Sequence, residues 1–314
     1  MKSSKNKMWL ATGSIMFFLL TNVYAGGKAG ASFLKISPGA GPAGMGGAYT
    51  AMASDINALY YNPAGIGNIT QTQIGVTHAE WLSNVNFDFV GGVLPTARGS
   101  FGVSAIALTT GEIEGRDESG NKSGNFNSSD LAVMFSGSRR LSSDMQLGGS
   151  IKVLRQTIAN ETANGVALDI GGMRRVSNKF TLGLTVRNFG PKMKFIEEKY
   201  SLPLSITTGV SYKVVGAFNL ATDISYEPVD KKRTVSFGTE FSPMHFFTLR
   251  AGYLFQAVEA LYGSSANSLS DKSGEQNSFA GGIGIKLFGH NLDYAVVPYA
   301  DIGLTQRISY NANF

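Results

Sequence analysis

The sequence has no cysteine, only three histidines among 314 residues, and only 16% charged residues. Without cysteine there is no disulfide and no thiolate metal or redox site. His78, His245 and His290 are too scattered for metal-ligand spacing. No G-x-S-x-G segment presents a nucleophilic serine. Catalytic residues, metal ligands and cofactor-binding residues are therefore assigned to none, and the expectation is a non-enzyme. Beyond residue 25 no run of about 18 apolar residues exists, so no later segment can cross a bilayer as a helix. The mean hydropathy of +0.01 is also too polar for a helical membrane bundle. So little charge is nevertheless unusual for a soluble enzyme. What the chain has instead is 39 Gly, 20 Phe and 12 Tyr.

The first 25 residues have the layout of a secretory signal. Lys2, Lys5 and Lys7 form a basic start, Trp9 to Leu20 a short apolar stretch, and Val23-Tyr24-Ala25 a cleavage site between Ala25 and Gly26. The apolar stretch is shorter than the ~20 residues of a spanning helix. Cleavage removes three of the 27 basic groups and no acidic one, leaving 24 against 22. That near-balance is no footprint for nucleic acid.

Residues 26–70 are rich in Gly and Ala and lack regular apolar spacing. A short helix is expected over Ser54–Tyr61, ended by Asn62-Pro63. From Gln71 onward, apolar residues alternate with small or polar ones, as in Phe180–Val186, Val235–Phe241 and Phe279–Leu287. Successive strand side chains point to opposite faces, so each segment has one apolar face and one dominated by Gly, Thr, Ser, Lys and Arg.

About fourteen strands are expected, near 71–80, 84–94, 98–110, 128–138, 144–156, 164–174, 178–188, 203–213, 216–227, 232–241, 245–255, 277–288, 290–298 and 302–314. Short turns, among them Pro95–Ala97, Leu141–Ser143 and Ser242–Met244, alternate with longer links such as Gly111–Asn127, Phe189–Leu202 and Gln256–Gln276. This is the order of periplasmic turns and extracellular loops in an outer-membrane barrel. In hydrocarbon an open sheet edge leaves backbone groups unpaired, so the last strand must pair with the first. That last strand places Leu304, Ile308, Tyr310, Ala312 and Phe314 on one face and Arg307, Ser309, Asn311 and Asn313 on the other. Ile308, Tyr310 and the terminal Phe314 are expected to carry an assembly signal for the barrel-insertion machinery.

Gly39-Ala-Gly41-Pro-Ala-Gly44 has the spacing of a dinucleotide fingerprint. It lacks the preceding strand and the acidic residue ~20 positions on, so nucleotide binding is not expected. Arg139-Arg140 and Lys231-Lys232-Arg233 read as solvated charge at a membrane rim, where long cations extend towards headgroups.

Gly44-Met-Gly-Gly-Ala-Tyr-Thr-Ala51, then Asn57-Ala-Leu-Tyr-Tyr-Asn-Pro-Ala-Gly65, resembles the start of the PorV/PorQ family, relatives of FadL-type transporters. The stretch from Asp293 to Phe314, with Pro298–Asp301 and Gly303–Arg307 inside it, is similar to that family's ending. The resemblance implies an all-β transmembrane antiparallel barrel of about fourteen strands, in the bacterial outer membrane. It also implies an N-terminal hatch folded into the lumen, with Asn62, Pro63, Ala64 and Gly65 in it. The expected organisation is a signal peptide at 1–25, a hatch at 26–70 and a barrel at 71–314. Its partners would be outer-membrane lipid and the barrel-assembly machinery. Three functions follow from different classes. The main expectation is handling of secreted protein cargo in a type IX-like pathway, with the next two as alternatives. The second is FadL-like uptake of long-chain fatty acids or other hydrophobic small molecules, and the third a structural surface barrel without transport.

Overall fold

The alternation in the sequence becomes an inside-out strand pattern. In the computed structural model, Gln146, Ser150, Lys152 and Leu154 are buried while Leu147, Ile151 and Val153 are exposed. The structure describes residues 29–81, 85–116, 119–214, 216–258, 275–299 and 303–314. The expected signal peptide and its Ala25–Gly26 cleavage site lie outside these.

The strands, in chain order, are β1 (Gln73–Trp81), β2 (Val85–Thr96), β3 (Gly99–Thr110), β4 (Ile113–Arg116), β5 (Lys122–Phe126) and β6 (Ser128–Arg140). There follow β7 (Met145–Ile158), β8 (Glu161–Arg175), β9 (Phe180–Phe189), β10 (Met193–Phe195), β11 (Glu198–Tyr200) and β12 (Ser205–Lys213). The chain continues through β13 (Phe218–Glu227), β14 (Lys232–Met244), β15 (Phe247–Val258), β16 (Glu275–Leu287), β17 (His290–Tyr299) and β18 (Gly303–Asn313).

Fourteen of them close into one antiparallel barrel in the order β1, β2, β3, β6, β7, β8, β9, β12 and then β13 to β18. The last strand pairs back on the first, from Gln73 opposite Asn313 to Glu80 opposite Gln306. Every expected strand segment carries a barrel strand. The remaining strands form two small hairpins, β4–β5 and β10–β11, inside the expected long links. Their three to five residues are too few, and too charged, to show a periodic apolar face. Among the described residues no helix is long and apolar enough to cross a membrane.

The outer surface carries exposed Ile, Val, Leu and Phe on strand after strand, for example Ile74, Phe135, Ile170, Ile224 and Phe279. A belt of this extent is intolerable in water and is what a lipid-facing barrel wall presents.

Two local expectations need correction. Ser242-Pro243-Met244 is not a turn. Strand β14 runs through it with a register shift between Phe241 and Met244, and the turn falls at 245–246. An irregularity of this kind is where a strand tolerates a residue without an N–H. The alternation of link lengths also holds only in part. One end of the barrel has six short turns; the other has three long links, but 82–84, 159–160, 228–231 and 300–302 are short too.

The chain from Ala29 to Thr72 passes down the inside of this wall. Ala29 N donates to Asp230 Oδ1 (3.0 Å) and Gly30 N to Ser201 O (2.9 Å), both at the long-link end. At the other end Thr72 O accepts from Phe314 N (2.9 Å). In between lie helix α1 (Ala40–Gly44), helix α2 (Ala58–Tyr61) and a 3₁₀ turn at Pro63–Asn68. The expected helix over Ser54–Tyr61 is thus only its last turn, ended as expected at Asn62.

Cross-strand glycine pairs make room for this segment. Gly148 faces Gly171, Gly183 faces Gly209, and Gly238 faces Gly252. A Cβ on Gly148 would lie 2.4 Å from the Pro63 carbonyl, one on Gly183 2.5 Å from Thr50 O, and one on Gly252 2.0 Å from Gly46 N. Each distance is well inside van der Waals contact. The wall is therefore hollowed where the segment touches it, and any side chain there would push backbone against backbone.

Candidate functional site

Between the N-terminal segment and the wall from β9 to β18 lies a cavity of about 290 Å³. Its inner side is formed by Ala43, Gly46, Gly47, Tyr60 and Tyr61, and hydroxyls of Thr207, Ser225, Thr234, Ser236 and Ser278 line the strands. Six charged side chains also line it. Lys35 ion-pairs with Asp230 and approaches Glu227 (4.0 Å), and Glu227 in turn meets Lys232 (3.8 Å). Lys232 is accordingly an inward-facing, largely buried cation and not the solvated rim charge expected of it. Arg307 donates to Ser37 O. Asp223 accepts Tyr49 N (3.0 Å) and Thr50 N (2.8 Å) through one oxygen.

Arg187 is held less completely. Its guanidinium lies 4.7 Å from the Tyr60 ring centroid, Nη1 reaches Tyr60 O only at 3.5 Å, and the buried Nε has no hydrogen-bond partner. A cation over an aromatic face is stabilised by the ring quadrupole, while the Nε–H is left for a further acceptor. Tyr60 and Tyr61 meet edge to face at 5.2 Å, and Tyr60 Oη donates to Leu34 O (2.9 Å). Asp55 accepts hydrogen bonds from Asn57 N (3.0 Å) and Nδ2 (2.9 Å).

Two further charged clusters are largely buried on the inward side of the wall. Lys152 Nζ meets Asp169 Oδ2 and Asn188 Oδ1, each at 2.7 Å, with both charged side chains at most 1% exposed. Arg250 bridges Glu240 (2.9 Å) and Asp293 (2.6 Å), and the position a Gly41 Cβ would take is 3.4 Å from its guanidinium carbon. The glycine-spaced run at 39–44 thus forms α1 against an arginine on the wall. Among the described residues, no three of His, Cys, Asp and Glu gather in a way that could hold a metal ion.

Asn62, Pro63, Ala64 and Gly65 are all buried. Asn62 Nδ2 donates to Thr50 O (2.9 Å) and Gly172 O (3.2 Å), and its Oδ1 accepts Ala64 N (3.2 Å). Ala64 O accepts Ser138 Oγ at 2.9 Å, while a Cβ on Gly65 would be 2.2 Å from Ala53 O. Ile308 and Tyr310 are exposed on the outward face of β18, Thr305, Arg307 and Ser309 are buried on its inward face, and Phe314 is exposed at the short-turn end. The sequence did not single out Arg187 or Asp223. Each is a charged residue on the inward face of an alternating strand, a pattern common to barrels and so no signal specific to these two.

The closed fourteen-strand barrel is similar in fold to solved channels for hydrophobic compounds. The CymD monoaromatic hydrocarbon channel matches with a TM-score of 0.70 at 12% identity, over 88% of this chain and 98% of that one. The Pseudomonas putida toluene transporter TodX matches at 0.64 and 13%, over 88% and 98%. A Pseudomonas aeruginosa FadL homologue matches at 0.65 and 10%, over 92% and 100%. At such identities the likeness is one of fold. By sequence, residues 24–261 match the family described as Uncharacterised protein family (UPF0164), and the chain belongs to that family. No curated protein matches it significantly in sequence.

Proposed function

We propose that the chain is a bacterial outer-membrane channel for the uptake of small hydrophobic or amphipathic molecules, with residues 26–70 as its hatch. The observation that carries this reading is the cavity of about 290 Å³ between the N-terminal segment and the barrel wall. Its volume is at the lower end of the range for ligand pockets. Support comes also from the fold shared with channels named for toluene and monoaromatic hydrocarbons. Tyr60, Tyr61 and Ala43 offer an apolar surface, whereas Arg187 and the strand hydroxyls offer donors. A ligand with an apolar body and one polar end suits this lining better than a bare hydrocarbon, which would leave those donors desolvated and unpaired. The PorV/PorQ-like runs at 44–51 and 57–65 fit the same reading, since they form the buried turns of the hatch. The comparisons give no support to cargo handling, the first-placed expectation from the sequence, and favour its uptake alternative.

Binding of labelled toluene and of a long-chain fatty acid to the detergent-solubilised barrel is the direct test. At least one should bind, and Ser225→Trp, which fills the cavity from the wall, should weaken it at least tenfold, a loss of about 1.4 kcal/mol. Absence of binding by both compounds, or unchanged binding by the filled variant, would refute the reading.

The terminal strand carries a separate expectation. Deleting Phe314 removes the backbone bond to Thr72 and the aromatic end of the outward face, so insertion should fall several-fold. The amount of heat-modifiable barrel in the outer-membrane fraction measures this, and a normal amount would remove the assembly role.

A further inference from the structure

The short-turn rim is divided in two by chemistry. On four consecutive turns, joining β2–β3, β6–β7, β8–β9 and β12–β13, the exposed charges are Arg98, Arg139, Arg140, Arg174, Arg175, Lys179 and Lys213. Among the described residues of these turns, Asp144 is the single carboxylate, 3.3 Å from Arg174 Nε. The rest of the rim instead presents Met244, Phe246, Leu287, Phe288 and Phe314 as exposed apolar groups.

We propose that the cationic arc is a docking site for anionic phospholipid headgroups of the leaflet at the short-turn end. The inference rests on the membrane reading above, with the short turns on the periplasmic side, and is independent of what the channel carries.

Three observations favour lipid phosphate over an acidic protein. First, Arg139 and Arg174 continue outward-facing rows that higher up read Phe135 and Ile170, so they stand where apolar wall gives way to headgroups. Second, Leu141 and Val176, both 56% exposed, are interleaved with the cations in the same turns. An apolar group next to a long cation is the pattern of side chains that sit in acyl chains and extend to the interface. Third, five of the seven cations are arginines, whose planar fork matches phosphate oxygens in pairs. Such a density of like charge on neighbouring turns is self-repelling, and a layer of phosphates relieves it.

The test uses the full chain in nanodiscs of phosphatidylcholine mixed with phosphatidylglycerol. Native mass spectrometry after release into detergent counts the lipids retained. The unsubstituted protein should retain phosphatidylglycerol in preference to phosphatidylcholine. Each cation near an anionic surface contributes about a fivefold factor, so Arg139→Gln/Arg140→Gln/Arg174→Gln/Arg175→Gln should cut the preference by roughly tenfold or more. Raising the salt before release should cut it likewise. Lys286→Gln with His245→Gln, on the other part of the rim, should leave it unchanged. If the fourfold variant does not insert, Arg98→Gln/Arg140→Gln serves in its place.

Equal retention by variant and parent overturns the proposal. So does a parent that shows no preference while its arginines are needed to capture an acidic periplasmic protein. Cell fractionation reads the membrane assignment separately, and ligand binding in the cavity reads the uptake assignment, so neither failure is confused with this one.

Discussion

Asp169→Ala is expected to destabilise the barrel by about 3–5 kcal/mol, because it leaves Lys152 as a buried charge with no counter-ion. The two side chains meet at 2.7 Å with essentially no solvent exposure, and Asn188 completes the lysine's shell. Asn188 has a second role. Its N donates to Asp169 Oδ1 (2.8 Å) and its Nδ2 to Pro203 O (3.1 Å), which ties the β8–β9 register shift to the start of β12. Loss of the carboxylate should therefore loosen the wall at this corner as well. Urea unfolding in detergent micelles, followed by heat-modifiable migration, measures the change. Replacing both partners, as Lys152→Met with Asp169→Leu, should restore stability to near the parent value or above it, since a packed apolar pair avoids the desolvation cost. If the single substitution costs less than about 1 kcal/mol, the pair is an ordinary solvated one.

The second large effect is expected from the glycine pair opposite the Asn62-Pro63 turn. In Gly148→Val/Gly171→Val the new side chains would occupy space held by Pro63 and by Asn62 Oδ1, the latter only 2.1 Å from a Gly171 Cβ. Overpacking of this sort costs roughly 1–3 kcal/mol per site when backbone must move. The N-terminal segment is held there by a few hydrogen bonds, whereas the strands are held by continuous ladders, so the segment should yield first. A barrel of fourteen strands is wide enough to leave an aqueous lumen once emptied. Planar-bilayer recordings should change from a closed or flickering trace to stable porin-like steps, with the barrel itself still heat-modifiable. A variant that stays closed while folded would mean that the segment does not block the lumen.

The strands were legible in the sequence because a wall between lipid and a filled interior imposes the period of two on every residue. Phe180–Val186 shows it without help from any neighbour. The closure of β18 on β1 was also legible, since hydrocarbon allows no free edge. The hairpins β4–β5 and β10–β11 were not, because strands of three to five residues are too short to show a period, even where Met193 is buried against β8. Nor was the course of residues 29–72. Its helices are four or five residues long and take their stability from the wall, so local propensity at Ala40–Gly44 says little. A signal for its position was nevertheless present. Gly91-Gly92, Gly148-Gly149, Gly171-Gly172 and Gly281-Gly282 recur inside strands whose other residues are β-formers, and glycine in a strand interior marks close approach of another backbone. Arg187 and Asp223 were hidden for a different reason: on the inward face of a barrel a charged residue is unexceptional, and only the fold reveals which ones share a cavity.

The direction in which the N-terminal chain runs has a consequence for assembly. Ala29 is fixed at the mouth opposite the one where β1 begins, so the polypeptide traverses the whole bore before the first strand starts. A cylinder that is already sealed would have to be threaded from one opening to the other. A sheet still open between β1 and β18 can simply wrap around the chain. Zipping of that seam is therefore the step that captures the segment, and a bulky folded protein fused ahead of Ala29 would be left outside the far opening as the seam shuts.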